Sequence, residues 1–467
     1  MQLDQAFRIA DIPRIALVGA GGKTTALFQL ARILSNGRAS SSPGSPVRPV
    51  IVTATTHLHI DQVRLADSHW IVKKPADLAG FEKNLCGVML VTGPLERDRT
   101  TGLHNPNLSM LHTICDSHAL PLLIEADGAR QHPLKAPALH LSPKFGDEPP
   151  IPDFVETVVV VAGLTGLGMP LTSKNVHRPD IFASLSGLAH AETITPEALR
   201  RVLIHPAGGL KNIPRTARRF VLLNQADTAE LQAQAKSLAE SLLGIFNAVI
   251  IASLAQSKVH AVYEPVAGII LAGGESKRFG RPKQLLDYRG QPFVRTVAQT
   301  ALASGLSPVV VVSGAHAEEV ESAVRDLPIT IARNANWQEG QSSSIRTGLN
   351  ALKPVPLSQW ESGRGEGAAI FLLADQPQVT PTFIRALVER HTFDMSPIVA
   401  PLVAGQRANP VLFDRNTFPD LLELTGDVGG RAIFPKHPVT FLTWHDERLL
   451  LDVDTEKDYQ RLQGPEN

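Results

Sequence analysis

Cysteine is scarce: Cys86 and Cys115 are the only two in 467 residues, and neither lies in a CxxC pair or a Cys/His cluster. That excludes a disulfide framework or a structural zinc centre and points to a reducing cytosol. Cys86 precedes a strand and Cys115 falls in a helix, so both are expected to be buried thiols. An excess of charge is also missing, because 45 Lys and Arg balance 45 Asp and Glu. Without a basic field neither nucleic acid nor an anionic membrane is an expected partner, and anions must be bound at local sites. Long apolar runs are absent too. The longest, such as VVVVAG at 158–163, are strand-sized, far short of the roughly 20 residues of a spanning helix. The opening MQLDQAFRIADIPRIALVGAGG carries acids before its apolar run and lacks a signal-peptide layout. A cytoplasmic protein is the expectation.

What is present is ample core material, 43 % hydrophobic residues against 19 % charged, over a length that suits two or three domains. Two segments begin alike, RIALVGAGGKTTALFQLARIL at 14–34 and VAGIILAGGESKRFGRPKQLL at 266–286: an apolar strand runs straight into a glycine-rich turn. Strands alternating with helical patterns follow each. The fold class expected is α/β, with two Rossmann-like three-layer α/β/α domains and mostly parallel sheets. The boundaries predicted are 1–256 for a P-loop-like domain, 257–265 for a linker and 266–467 for the second domain. SNGRASSSPGSPVRP at 35–49 and KPVPLSQWESGRGEG at 353–367 read as insertions, being rich in Ser, Pro and Gly without periodicity.

In the second half, the loop AGGESKRFGRPK at 272–283 follows Leu271. Glycines let backbone N–H groups approach an anion closely, and Arg278 and Lys283 add cations suited to the phosphates of a nucleotide and a pyrophosphate leaving group. An ordinary strand-to-helix turn with solvated charges is the alternative. AIFLLADQPQVT at 369–380 delivers Asp375 at the carboxyl end of a strand, where open α/β sheets bind ligands. Magnesium held there would use one or two carboxylates plus phosphate oxygens; a helix-capping turn is the other reading. In LLLDVDTEKDYQRL at 449–462, Asp452 and Asp454 fall on one face if the segment is a strand. One of them is then a metal candidate and the other a helix cap.

LAGGESKRFGRPKQLL, NANWQEGQSSSIRTGL (334–349), LLADQP (372–377), GQRANPVLF (405–413), TGDVGGRAIF (425–434) and LDVDTEKDY (451–459) occur in one order across this half. Together they resemble the MobA/MocA-like nucleotidyltransferases, which load a nucleotide onto the molybdopterin of the molybdenum cofactor. The resemblance implies that Leu271, Ala272, Gly273 and Gly274 hold the triphosphate. It also implies that Asp375 and Asp454 hold magnesium and that Gly340, Ser343 and Ser344 lie along base and ribose. Arg278, Lys283 and Asp375 are the catalytic candidates. PKQLL, WQEGQSSS and GDVGGR look like the cytidylyltransferase branch, whereas LAGG is common in the guanylyltransferase branch; CTP is favoured and GTP is the alternative. Trp337 would cover the nucleotide or simply pack.

In the first half, GAGGKTT at 19–25 fits a short GxxGKTT form of the P-loop rather than GxxxxGK[ST]. Gly19, Gly21 and Gly22 free the backbone to cradle phosphate at a helix N-terminus. Lys23 reaches outer phosphates, and Thr24 and Thr25 supply hydroxyls near the anion and magnesium. Glu125 and Asp127 end the strand in LPLLIEADGAR (120–130), placed to hold magnesium opposite that loop. LLNQAD (222–227) is similar to the NKxD base-reading motif of GTP-binding proteins with Gln225 in place of lysine; residues that merely shape a turn are the plainer reading. Arg130 and Lys135 bind an anionic substrate or stand as solvated loop charges. The histidines, HLH at 57–59 included, have no metal spacing and read as structural. VGAGGKTT, VTATTHL, IEADGARQHPLKAPA (124–138), GLTGLGMPL (163–171), VHRP (176–179) and LNQAD resemble the YqeC-like proteins, selenium-dependent hydroxylase accessory or selenium cofactor biosynthesis proteins.

The function these features imply is molybdenum cofactor maturation. A magnesium-dependent half transfers a nucleotidyl group to molybdopterin cofactor with pyrophosphate release. An accessory nucleotide-binding half would serve selenium-dependent molybdenum hydroxylases, and a hydroxylase apoenzyme is the implied partner. Alternatives are guanylyl transfer to the same cofactor, nucleotidyl transfer to a sugar phosphate, and a non-catalytic carrier or chaperone.

Overall fold

The computed structural model describes residues 1–37, 48–138, 147–276, 279–352 and 365–463. The chain divides into two compact units, Met1–Tyr263 and Glu264–Asn467. Arg278 and most of both expected insertions lie outside the described residues.

The first unit is built on a nine-stranded sheet. From one edge it runs Lys258–Tyr263, Ala248–Ser253, Arg218–Asn224, Thr157–Gly163, Arg14–Gly19, Leu122–Glu125, Val50–Ala54, Val88–Thr92 and Ser68–Ile71. Every pairing is parallel except that of Lys258–Tyr263 with Ala248–Ser253. The central strands are continuous Val, Ile and Leu runs rather than alternating ones, and every residue of Thr157–Gly163 is buried. Helices covering both faces of a parallel sheet require this.

The segment expected as a linker, 257–265, is for most of its length the strand Lys258–Tyr263. Its Val259, Ala261 and Val262 suit a pleated surface, and the outer edge of Ala248–Ser253 offers unpaired backbone groups for it to satisfy.

The second unit carries an eight-stranded sheet. Thr330–Arg333, Val309–Ser313, Val266–Leu271 and Ala368–Leu373 are parallel, and Val411–Asp414 then runs antiparallel between Ala368–Leu373 and Ile398–Val403. Successive residues alternate between two apolar clusters. Ile270, Val311 and Leu372 face the helices Phe293–Ala303 and Pro381–Asp394, whereas Ile269, Val312 and Phe371 face Gln341–Ala351. Two cores on opposite faces make this a three-layer α/β/α unit.

The strand expected through Asp452 and Asp454 is absent: Glu447–Leu450 is a 3₁₀ turn and 451–454 is irregular. The side-chain amide of Gln378 donates to the carbonyls of Arg448 and Leu451 at 3.1 and 2.9 Å, which takes the acceptors a ladder would use. No helix among the described residues is long and apolar enough to cross a membrane.

Candidate functional site

In the first unit the strand Arg14–Gly19 ends in a turn that leads into the helix Lys23–Ser35, with Gly22 as its N-cap. Gly19, Gly21 and Gly22 all have positive φ, at +96°, +83° and +124°. A Cβ on Gly21 would lie 2.4 Å from Gly163 Cα, and one on Gly22 would lie 2.2 Å from Asn224 Nδ2. Only glycine satisfies both conformation and space there. The turn therefore bares amides at a helix N-terminus, where an anion is favoured by unpaired donors and by the helix dipole.

Lys23 is buried and donates from Nζ to Gly19 O at 2.7 Å, while lying 3.2 Å from Asp127 and 3.8 Å from Glu125. The Thr24 hydroxyl donates to Glu125 at 2.8 Å and accepts from Gln62 at the same distance. Asp127 accepts from Gly19 N at 2.9 Å and pairs with Lys135 at 2.7 Å through Oδ2, while its buried Oδ1 is the atom that faces Lys23 Nζ at 3.2 Å. Burial pushes the Glu125 carboxyl above the usual range, with Lys23 opposing. Burial acts the same way on Asp127, but Lys135 and Lys23 overcome it and leave that carboxyl lowered.

Lys135, read from sequence as a substrate-binding or solvated charge, is neither exposed nor free: it is 9 % exposed and held by Asp127 and Gly128 O. Arg130 is exposed, at φ +48°. His57 and His132 hydrogen-bond to backbone carbonyls, yet they also line, with His59 and His177, a cleft of about 1010 Å³ together with Gly21, Gly22, Lys23, Thr24, Thr25, Glu125 and Arg178. Their spacing gave no hint of this, because three separate segments, around 57–59, 132 and 177, bring them there. Arg178 pairs with Glu148 on the same wall.

In the second unit the strand Val266–Leu271 leads into Ala272, Gly273 and Gly274. A Cβ on Gly273 would sit 3.0 Å from Ser344 Oγ, so the serine segment does close on the glycine loop. Ser343 and Ser344 are buried, and Asn334 Nδ2 donates to both hydroxyls at 2.8 and 3.1 Å. Gly340, at φ +97°, lets the helix Gln341–Ala351 start against Asp427, whose carboxylate accepts from Gln341 N at 3.1 Å. Trp337 packs beside Gly314, where a Cβ would approach the Trp337 Cβ to 2.9 Å.

Lys283 joins the end of the strand Ala368–Leu373 to the irregular segment 451–454: its Nζ lies 2.5 Å from Asp454 and 3.9 Å from Asp375. Loss of water raises the Asp375 carboxyl above its ordinary value against the opposing charge of Lys283, and Asp452 and Asp454 raise it further. Two aspartates from distant segments, Asp375 and Asp454, thus meet one ammonium group, and Asp452 lies close enough to act on Asp375. Among the described residues no set of three or more His, Cys, Asp or Glu side chains forms a metal cage.

Sequence reasoning missed Gln284 and Gln376. Gln284 is buried and donates to Gly274 O at 3.0 Å, so it sets the curvature of the glycine loop. Gln376 donates to Asp452 at 2.9 Å and leaves its own Oε1 buried and unpaired. Each follows a residue that had been noticed, Lys283 and Asp375, and a polar side chain next to a site is the one signal that could have marked them. Cys86 corrects a further expectation: it is exposed, because Gly87 turns the chain into the sheet one residue later, and only Cys115 is buried.

Residues 15–180 match the family model for the YqeC protein, and residues 268–440 match that for the MobA-like NTP transferase domain. The chain is 33 % identical over 230 residues to the Uncharacterized protein YqeC of Escherichia coli (strain K12), spanning 46 % of this chain and 77 % of that one. It is 31 % identical over 207 residues to the Nicotine blue oxidoreductase of Paenarthrobacter nicotinovorans, spanning 42 % and 96 %. It is 24 % identical over 205 residues to a Probable molybdenum cofactor guanylyltransferase of Bacillus cytotoxicus, again spanning 42 % and 96 %.

Proposed function

The chain belongs to the YqeC and MobA-like NTP transferase families, joined in one polypeptide, and from that premise we propose that it matures the molybdenum cofactor by nucleotidyl transfer. The coarse class is a nucleotidyltransferase family related to that cofactor. The finer reading is transfer of CMP from CTP to molybdopterin cofactor, for use by a molybdenum hydroxylase that depends on selenium.

The observation that carries it is the meeting of Lys283 with Asp375 and Asp454 beside the loop Ala272–Gly274. Two carboxylates facing one ammonium group are hard oxygen donors suited to a magnesium ion shared with phosphates. Magnesium held by Asp375 and Asp454 would neutralise charge on the triphosphate. The chain's own part is then to position and to balance charge. Backbone groups of Gly273 and Gly274 receive the phosphates, and Lys283, released from Asp454, meets the outer ones. An oxygen of the cofactor's phosphate monoester bonds to the α-phosphorus, the bond to the bridging oxygen breaks, and pyrophosphate leaves with that electron pair. No enzyme nucleophile is required.

In the first unit, Gly19, Gly21, Gly22, Lys23, Thr24 and Thr25 would hold a second nucleotide. Thr24, Glu125 and Asp127 would supply oxygens for its magnesium, once Lys23 moves from the two carboxylates to the phosphates. The remaining length of the cleft, with Arg130, His132 and Arg178, suits an anionic second substrate.

The test is magnesium-dependent pyrophosphate release by the purified chain with molybdopterin cofactor, comparing CTP, GTP and ATP, repeated with Asp375→Ala. Release with CTP that falls on the order of 100-fold in the variant is expected. Preference for GTP would assign the guanylyl branch, and release only with a sugar phosphate would replace the acceptor. Tight cofactor binding with no release would favour a carrier. Because one relative bears an oxidoreductase name, pyrophosphate rather than cofactor consumption is the product to follow.

A further inference from the structure

LLNQAD at 222–227 was singled out in the sequence, and the function above leaves it unused. Its structure divides the work between two residues. Asn224 Nδ2 donates to Gly21 O at 2.7 Å, and Leu254 N donates to Asn224 Oδ1 at 3.0 Å. One side chain thus ties the phosphate loop to the turns that follow two neighbouring parallel strands, Arg218–Asn224 and Ala248–Ser253. That explains the asparagine as a structural clamp. It does not explain Asp227.

An aspartate in this position would ordinarily cap the next helix. Here the cap is Thr228, whose hydroxyl accepts from Leu231 N at 3.2 Å for the helix Ala229–Leu242. Asp227 is instead exposed and forms part of the wall of a small cavity of about 120 Å³ with Gly22, Thr25, Asn224, Gln225, Leu254 and Ala255. This cavity shares Gly22, Thr25 and Gln225 with the large cleft over the phosphate loop. A molecule whose phosphates lie on Gly21–Thr25 therefore has a continuous path into it. Its walls include the apolar side chains Leu254 and Ala255, and its charged group is a carboxylate.

From this geometry we infer that the nucleotide of the first unit carries guanine, seated between Gln225–Asp227 and Leu254–Ala255 with Asp227 accepting from the base. The inference rests on the reading of Gly19–Thr25 as a nucleotide site and adds the base. A carboxylate is an acceptor only, and it accepts two parallel N–H bonds well. Guanine offers such a pair, at N1 and the 2-amino group. Adenine and cytosine each place an acceptor nitrogen beside their amino group, and uracil sets a single N–H between two carbonyls. A polar site matched to one donor pattern rejects a base that leaves its acceptors unmet.

Fluorescent N-methylanthraniloyl GDP, ADP and XDP, titrated into the full chain, test this. The component that disappears in Lys23→Ala reports the first unit and subtracts any occupancy of the second. That component should prefer GDP to ADP by 10-fold or more. In Asp227→Asn it should lose GDP affinity by 10-fold or more and gain XDP affinity by a similar factor. Xanthine carries a carbonyl where guanine has its 2-amino group, and the new amide can donate to it. A gain of affinity cannot come from misfolding. Equal GDP and ADP binding, unchanged in Asp227→Asn, would overturn the guanine inference and leave the nucleotide site standing. Absence of any Lys23-dependent binding would overturn both.

Discussion

At the scale of single residues, burial decides chemistry that residue type leaves open. The two cysteines read alike in sequence. Burial pushes the Cys115 thiol up to about 12, whereas Cys86 is exposed. Since the thiolate is the reactive form, a thiol reagent at pH 8 should titrate one group in the native chain and two in denaturant. Two fast groups in the native state would contradict the burial of Cys115.

His177 is a second case. Burial first, then the charges of Arg178, Lys135, Arg130 and His132, hold its imidazole down to about 3. In the unfolded chain the same ring takes a proton near pH 6.5. Its neutral form thus contributes stability that is present above that pH and declines as pH falls from about 6.5 toward 3. His177→Gln should flatten the loss of urea stability between pH 7.5 and pH 5. An unchanged slope would mean that His177 titrates normally.

At the scale of elements, glycines that look alike in sequence do different things. Gly340 starts the helix Gln341–Ala351 at φ +97°, and an added Cβ would lie 2.4 Å from Asp427 Cα. Gly274 has nothing within 4 Å of such a Cβ and no positive φ. Gly340→Ala should therefore destabilise the chain by more than about 1 kcal/mol, and Gly274→Ala should leave the melting temperature near its original value. If Gly274 serves the triphosphate, its substitution should act on turnover alone. Thermal denaturation beside pyrophosphate release separates the two effects.

At the scale of the molecule, the strand Lys258–Tyr263 decides where the first unit ends. A fragment cut after Gln256 would leave Ala248–Ser253 as an unpaired hydrophobic edge, an invitation to aggregation. Cutting after Tyr263 keeps that edge covered and retains the buried Ala261 and Val262. The fragment 1–263 should be monodisperse and melt at a higher temperature than 1–256. Equal behaviour in size-exclusion chromatography and melting would argue that this strand adds nothing.

Sequence alone determined the α/β class and the position of both glycine loops, because buried parallel strands must be unbroken apolar runs and their carboxyl ends must turn on small residues. It also named Lys23, Thr24, Glu125 and Asp127, whose meeting is set by neighbouring parallel strands in register. Lys283, Asp375 and Asp454 were likewise named, the two aspartates as a pair only through the family resemblance. Sequence could not say that an irregular segment nearly 80 residues on from Asp375 would fold back to place Asp454 against Lys283. Nor could it find Gln284, Gln376 or the cavity at Asp227, or see that Lys258–Tyr263 closes a sheet. Local pattern reports what one element must bury. Which distant polar groups come to share a space depends on sheet order and on loops that carry no periodicity, and only the tertiary structure decided that.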